Sequence, residues 1–570
     1  MSIIKNTIYV AVLGLCFFAC KSPDAVDTRK KSANSGGIFR IAENTQISTI
    51  YPHMMTGQVE GLVASQIHEC LTRLDVHSMK VIPGLAESWE TSADGKTVTF
   101  HLRKGARFQR DKCFGDGPGP EVTAKDVKYT LELLCTQSDK NYHFATVLKD
   151  RVVGANEYFE QSKNAKPAGL KGFKLIDDHT FSLELTHPSQ TFLHILANPV
   201  ASILNEKAVS TYGTNCKVGA GPFMYSAAST ADHIVLVKNP DYFGVDSAGF
   251  ALPYLDTVSL TIYPGIEDGL MEFEKGRVDL VNALPSGRIK EVVEKNIQGF
   301  ESHPAKFILD RKPEMISQYY SFNLKRAPFD NAKVRQAINY AINRDKIVDA
   351  VLQGQAYGPG IYGITPNTFP GYDITKIEGY SFNPEKAKKL LAEAGFPGGI
   401  GFPSVNVLVN SGSSRNSSVI AEIQKQLKDV LNLNVSFESL PNGQKYDLEM
   451  HGKGDIYRDA WVADYPSPES FLMLFVGESV PADNNAASFP NTCRYQNPEY
   501  DMYYKKGRDS NNKDSCYAYF MKAEQILVKD APIIPLWYEG AYRLISNNIS
   551  GFYSNPMRYY DLTRVYVKKQ

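Results

Sequence analysis

The sequence has no CxxC pair, no HExxH, no GxSxG and, past its first twenty residues, no unbroken run of about 18 apolar side chains. Those gaps argue against structural zinc sites, zinc proteases, α/β-hydrolases and a helical membrane span in the mature part of the chain. The most apolar later stretch, residues 192–204, is broken by His194, Asn198 and Pro199. Excess charge of either sign is missing too. With 62 Lys plus Arg against 62 Asp plus Glu, no global field draws in nucleic acid or an anionic membrane. Tryptophan is scarce, at 3 residues, but 32 Tyr and 29 Phe lift the aromatics to 11%, enough to furnish a ligand cavity. Hydrophobic residues at 43% and charged ones at 22% exclude collagen, coiled coil and wholesale disorder. A length of 570 residues predicts three or four compact units, or two large ones.

Lys5 precedes an uncharged stretch over residues 8–19, too short to span a bilayer and of the length of a secretory h-region. It ends in Phe17-Phe18-Ala19-Cys20, which resembles a bacterial lipoprotein signal with Phe17 in place of the usual Leu. The resemblance implies cleavage before Cys20 and acylation of that residue, and residues 21–35 supply a polar tether. In an exported chain Cys70, Cys113, Cys135, Cys216, Cys493 and Cys516 allow up to three disulfides, and fifteen pairings if all six join. Nothing in the sequence chooses among them.

Local patterns sketch a mixed α/β chain. Val98, Phe100 and Leu102 alternate with polar neighbours, as do Val258, Leu260 and Ile262, and each set predicts a half-buried strand. Over residues 331–354 apolar positions recur at the helical period behind an N-cap expected at Asp330, predicting an amphipathic or broken helix pair. Asn383, Pro384 and Gly395 mark the start and stop of another helix. Strands are expected over residues 405–409 and 434–438, around a helix presenting Ile420, Ile423, Leu427 and Val430, which suggests a parallel unit. The loop over residues 112–121, KCFGDGPGPE, reads as an insertion.

Longer blocks carry a resemblance. PGLAESWETSADGKTVTFHLRKGARF at residues 83–108 is followed by TAKDVKYTLE (123–132), GAGPF (219–223), NPDYFG (239–244), FEKGRVDL (273–280), FNLKRAPFDNAKVRQAINYAINRDKI (322–347) and APIIPLWY (531–538). Together they resemble the extracellular solute-binding proteins that feed ABC importers, in the branch of oligopeptide and dipeptide receptors. The resemblance implies a two-lobed α/β periplasmic-binding-protein fold with a hinge, its first lobe enlarged by an extra subdomain. The expected layout is a signal peptide over 1–19, an anchor and tether over 20–36, a lobe I core from 37–70, 213–317 and 535–570, the extra subdomain over 71–212, and lobe II over 318–534. The hinge crossings fall near Gln318 and Ile534.

The segment IYRDAWVADYPSPESF, residues 456–471, resembles the part of peptide receptors in which an Asp takes the α-ammonium of the ligand, and that Asp matches Asp464. An ammonium stripped of water in a closing cleft needs a carboxylate. Arg458, six positions earlier, matches an Arg that meets the carboxylate of short peptides in some relatives, and its alternative is a surface pairing with Asp455 or Asp459. Trp461 and Tyr465 are candidates for lining or stacking, or else core aromatics. Thr56-Gly57-Gln58 resembles an early loop that offers extended backbone to the ligand, with Thr56 where a peptide receptor can carry Glu.

Competing chemistry finds little support. GPGIYG, residues 358–363, spells GxGxxG, but Pro359 removes an amide that a phosphate needs and no strand precedes it inside a compact βαβ unit. His68-Glu69-Cys70 falls in an expected helix as a packed or surface group rather than a metal site. The expectation is a non-enzymatic, monomeric, lipid-anchored extracytoplasmic receptor with no cofactor, metal or nucleic acid. It would take short peptides and deliver them to ABC permease subunits. Oligosaccharide, nickel chelate, haem or opine cargo is the main alternative, since fold does not choose cargo. A signalling receptor that never transports and an exported hydrolase are the others.

Overall fold

Two long antiparallel strands tie the halves of the molecule together. The computed structural model describes residues 30–285, 289–510 and 512–569. The expected signal peptide and Cys20 lie outside them. The described chain begins on β1 (Ile38–Glu43), which buries Phe39 and Ile41, and continues into α1 (Gln58–Ile67), which buries Leu62, Val63 and Ile67. It crosses to the second half on β2 (Phe307–Phe322), runs there through β3 (Ile456–Val462), and returns on β4 (Ile533–Ser546).

All of these strands belong to one eleven-stranded sheet. From the second half to the first its order is Val435–Leu440, Val405–Asn410, β3, β2, β4, Leu280–Val281, β1, Thr257–Ile262, His233–Lys238 and Phe223–Tyr225, with Ala356–Pro359 added beside β4. β2 pairs with β4 from Phe307↔Ser546 to Pro313↔Gly540, slips, and resumes at Ser317↔Tyr538. Its last residues take β3 on the other edge, from Ile316↔Val462 to Phe322↔Ile456. Inside the slip Glu314 is wholly buried and answered by Arg543 and Arg558, at 2.7 and 2.5 Å.

Among the described residues, three of the large apolar clusters form separate cores. One joins Phe39, Val63, Ile67 and Leu260 to Leu562 and Val565 of the returning C-terminal segment, forming lobe I. A second packs Ile338, Val407, Ile423, Leu427 and Trp537 in lobe II. The third belongs to a four-stranded antiparallel sheet, Ala86–Thr91, Thr97–Leu102, Thr180–Glu184 and Phe173–Leu175, covered by the helix Ala124–Leu134. Phe100, Phe181 and Phe173 stack in a row there, with centroids 5.1 and 5.2 Å apart. Each such buried side chain contributes about 1.5–3 kcal/mol.

Local expectations are met where side-chain period and caps agree. Thr97–Leu102 and Thr257–Ile262 are strands that bury every second residue. Val405–Asn410 and Val435–Leu440 pair in parallel around the helix Ser414–Leu431. Asn383 caps Pro384–Glu393 by accepting the Lys386 N–H at 2.9 Å, and Gly395 beyond it takes a φ of 97° that other residues resist. Elsewhere the structure differs. The cap of Ala332–Ala341 is Asn331 rather than Asp330, because the Asn331 carboxamide reaches the Lys333 N–H at 2.9 Å. A further short helix, Arg344–Lys346, follows, so the pair is broken. His68 stands just past α1 rather than within it. GPGIYG agrees with its expectation: the strand that enters it, Ala356–Pro359, pairs antiparallel with β4 and opens no βαβ unit. The six described cysteines are all free thiols.

Candidate ligand-binding site

The pleat of β3 sorts the candidate residues onto two faces. Arg458, Ala460 and Val462 share one side, and Asp459 and Trp461 the other. Ala460 and Val462 line a cavity of about 520 Å³ together with Gln318, Arg415, Glu539 and Arg558. Just past the strand, Ala463 and Asp464 join Val462 on a second cavity of about 230 Å³, whose opposite walls are Thr56, Gly57, Gln58 and Gly61 of lobe I and Asn198 of the segment leading out of the four-stranded unit. Val462 and Arg558 border both spaces, so the two are neighbours along one cleft.

Asp464 is held by its backbone and left open at its carboxylate. Its N–H donates to Ser470 Oγ at 2.9 Å, and its carbonyl accepts from Asn198 Nδ2 at 2.8 Å. Asp464 Oδ2 is buried and has no hydrogen-bond partner among the described residues. Burial pushes the carboxyl up to about 6, against a partial downward pull from the Arg151 charge. A buried carboxylate without a partner is costly, and a ligand cation would relieve it.

Arg458 is the counterpart of opposite sign. Its guanidinium donates to Gln318 Oε1 and, at 3.5 Å, to Asn410 Oδ1, both of them neutral acceptors. The two carboxylates that could have neutralised it are engaged elsewhere, Asp455 with Arg326 at 3.2 Å and Asp459 with Lys445 at 2.5 Å. Burial accordingly lowers its pKa. Arg415, by contrast, already grips Glu539 with two bonds of 3.0 and 3.2 Å.

The early loop is rigid. Thr56 and Gly57 give their N–H groups to Glu60 Oε2 at 2.9 and 3.0 Å, and Gln58 Oε1 accepts from Arg558 at 2.8 Å. Arg558 in turn rests on Glu314 at the slip between β2 and β4, which links the loop to the two crossing strands.

The structure thus brings Thr56, Gly57, Gln58 and Asp464 around one cavity, while Arg458 shares the strand face of Ala460 and Val462 but lines neither cavity, its guanidinium resting on Gln318. Trp461 and Tyr465 are not on those walls. Trp461 borders a separate space of about 150 Å³ beside Arg151, His187 and Arg508, where its Nε1 is buried with no hydrogen-bond partner among the described residues. Tyr465 is buried in the core of the four-stranded unit, its hydroxyl 3.9 Å from Met473 Sδ. Alternation along β3 explains the first placement, since a residue adjacent to Val462 must face the other way. Arg558, Asn198 and Glu314 were missed. No motif or period marks them, and only the long-range fold places Arg558 against Gln58, 500 residues away.

Among the described residues no group of three or more His, Cys, Asp or Glu is arranged to hold a metal ion, and no helix is long and apolar enough to cross a membrane. Two lobes joined by paired strands, with a cleft carrying one open carboxylate, define a two-lobed solute-binding protein. The chain belongs to the bacterial extracellular solute-binding proteins, family 5 (Middle), whose model matches residues 80–482. It is similar to heme-binding protein A of Haemophilus influenzae, 27% identical over 98% of each chain. The periplasmic oligopeptide-binding protein OppA of Escherichia coli is 27% identical over 89% of this chain and 88% of its own. Among solved structures, DppA of Helicobacter pylori in complex with the peptide STSA superposes with a TM-score of 0.76 at 24% identity, over 94% of this chain and 99% of its own. A periplasmic oligopeptide-binding protein of Borrelia burgdorferi gives 0.75 at 25% identity, over 93% and 99%.

Proposed function

We propose that this chain is the extracytoplasmic receptor of an ABC importer. It captures short peptides between its lobes, closes about β2 and β4 near Gln318 and Ile534, and presents the closed form to the permease subunits. The observation that carries the reading is the open Asp464 carboxylate on the cleft wall, with the Arg458 guanidinium, held only by neutral acceptors, on the face of β3 that Ala460 and Val462 present to the cleft. Asp464 follows Arg458 by six positions, the first four of them on β3, so their backbones stand at most about 20 Å apart, and the long Arg side chain shortens the span. A zwitterion with its ammonium on Asp464 and its carboxylate toward Arg458 would neutralise both, each buried pair resisting truncation by about 2 to 5 kcal/mol. Thr56-Gly57-Gln58 would flank the peptide backbone. Acylation of Cys20 would tether the receptor to the membrane as a monomer, and no chemical step is assigned to it.

The oligopeptide and dipeptide receptors among its relatives support this cargo. Haem is the second reading, favoured by the Haemophilus influenzae relative and by two imidazoles, His143 and His194, on the cavity that holds Asp464. Native mass spectrometry of the mature receptor, with sequencing of acid-released ligands, separates the two. A heterogeneous set of peptides, lost in Asp464→Ala, is the expected result. A single haem with a Soret band, or peptides bound equally by Asp464→Ala, would overturn it.

A further inference from the structure

Gly61 stands in the middle of α1, where glycine weakens a helix relative to alanine. Its torsions are not the left-handed ones that call for glycine, and a Cβ built on it meets no atom within 4 Å. Neither backbone geometry nor close packing therefore accounts for the residue. What lies beyond it is the 230 Å³ cavity that carries Asp464, far larger than the 10–15 Å³ or so that one water needs. The residue leaves that cavity open at a cost to its helix.

The walls of that space say what would fill it. Leu62, Leu74, Pro199 and Val200 supply apolar surface to it. The polar side chains at its edge are mostly committed within the protein: Gln58 to Arg558, His143 to the Met55 carbonyl at 2.6 Å, and Asn198 to the Asp464 carbonyl. Arg558 is itself paired with Glu314. His194 is buried beside the Gln190 backbone, and burial keeps that imidazole neutral. The single charge left open is the Asp464 carboxylate, so an ammonium docked there carries its substituent into an apolar chamber.

We propose that this chamber over Gly61 receives the side chain of the ligand's first residue, and that the receptor selects peptides beginning with a large apolar residue such as Leu, Met or Phe. The proposal deepens the peptide reading and rests on it. A charged first side chain would be stripped of water with no partner beyond the carboxylate already occupied by the α-ammonium, and Gly or Ala would leave the chamber unfilled.

The test is calorimetric titration of the full mature receptor, purified in mild detergent, with Leu-Ala-Ala-Ala, Gly-Ala-Ala-Ala, Lys-Ala-Ala-Ala and Glu-Ala-Ala-Ala. The Leu-first peptide is expected to bind at least tenfold more tightly than the other three. In Gly61→Leu the added side chain enters the chamber, so the preference for the Leu-first over the Gly-first peptide falls at least tenfold while the melting temperature stays level or rises. Gly61→Ala, a smaller intrusion that favours the helix, should fall between. Equal binding of Leu- and Gly-first peptides by the parent, or an unchanged preference in a folded Gly61→Leu, overturns the inference and leaves the peptide reading standing. A parent that binds none of the four peptides while retaining haem overturns both.

Discussion

Thr191 donates its hydroxyl to Glu469 Oε2 at 2.7 Å, joining the four-stranded unit to lobe II through a carboxylate that is 2% exposed. Arg151 approaches the other oxygen of the same carboxylate at 3.6 Å. A hydrogen bond to a charged group contributes about 1.5–3 kcal/mol. Where opening the cleft breaks this bond, its energy belongs to the closed state alone. Thr191→Val is expected to raise the peptide dissociation rate about tenfold or more, with little change in the association rate, as read by stopped-flow fluorescence. An unchanged dissociation rate would show that the contact survives opening.

The Asp464 carboxyl, raised by burial to about 6, sets a pH dependence. An ammonium ligand needs the charged form, so affinity should hold above about pH 6.5 and fall as the pH drops below 6. Unliganded stability runs the other way at this group. A folded-state pKa above the unfolded one means that the folded chain holds its proton more tightly, so this group's contribution is lost as the pH rises from the ordinary aspartate range through 6. Titration calorimetry between pH 5 and 7.5 checks the first effect, and Asp464→Asn should bind weakly with that slope removed.

Lys445 is fully buried between Glu449 and Asp459, 2.5 Å from each. Burial and the Asp459 charge push Glu449 up to about 8, so below that pH Glu449 holds its proton and Lys445 balances the charge of Asp459. Removing one partner from such a cluster typically costs about 3–5 kcal/mol. Lys445→Met should lose that much in urea unfolding at pH 7.5, and clearly less for a Lys445→Met, Asp459→Asn double variant. Equal losses in both would mean that lost packing, and not uncompensated charge, is responsible.

How much of this was legible beforehand depends on the range of the interaction. Strands such as Thr97–Leu102 and the helix Pro384–Glu393 are written locally, in a period of two and in an Asn-Pro start with a Gly stop, and they form as read. Asp464 and the Thr56-Gly57-Gln58 loop came from family blocks, and the cavity unites them although about 400 residues separate them in sequence. Trp461 was grouped with Asp464 by proximity in sequence, which the alternation of a strand does not respect. Arg558 and Asn198 carried no local signal, because their roles depend on which chain segments the sheet brings together.

Arg458 offers the sharpest test of how the far end of a peptide is read. It is a desolvated guanidinium whose acceptors are the Gln318 and Asn410 carboxamides, and Gln318 has another bond available, from its Nε2 to Glu539 at 2.9 Å. A ligand carboxylate could therefore displace Gln318 Oε1 without leaving that side chain stranded. Arg415 is the natural control, since both of its contacts to Glu539 are already made and a ligand would have to break them. The parent receptor should prefer a free-acid tetrapeptide over its C-terminal amide at least tenfold, in line with about 2 kcal/mol or more for a buried charge pair. Arg458→Gln should bring the two ligands to equal, weaker affinity while leaving the response to N-terminal acetylation intact, whereas Arg415→Gln should lower the melting temperature and keep the preference. Loss of the preference in Arg415→Gln but not in Arg458→Gln would move carboxylate recognition from the edge of β3 to the helix Ser414–Leu431.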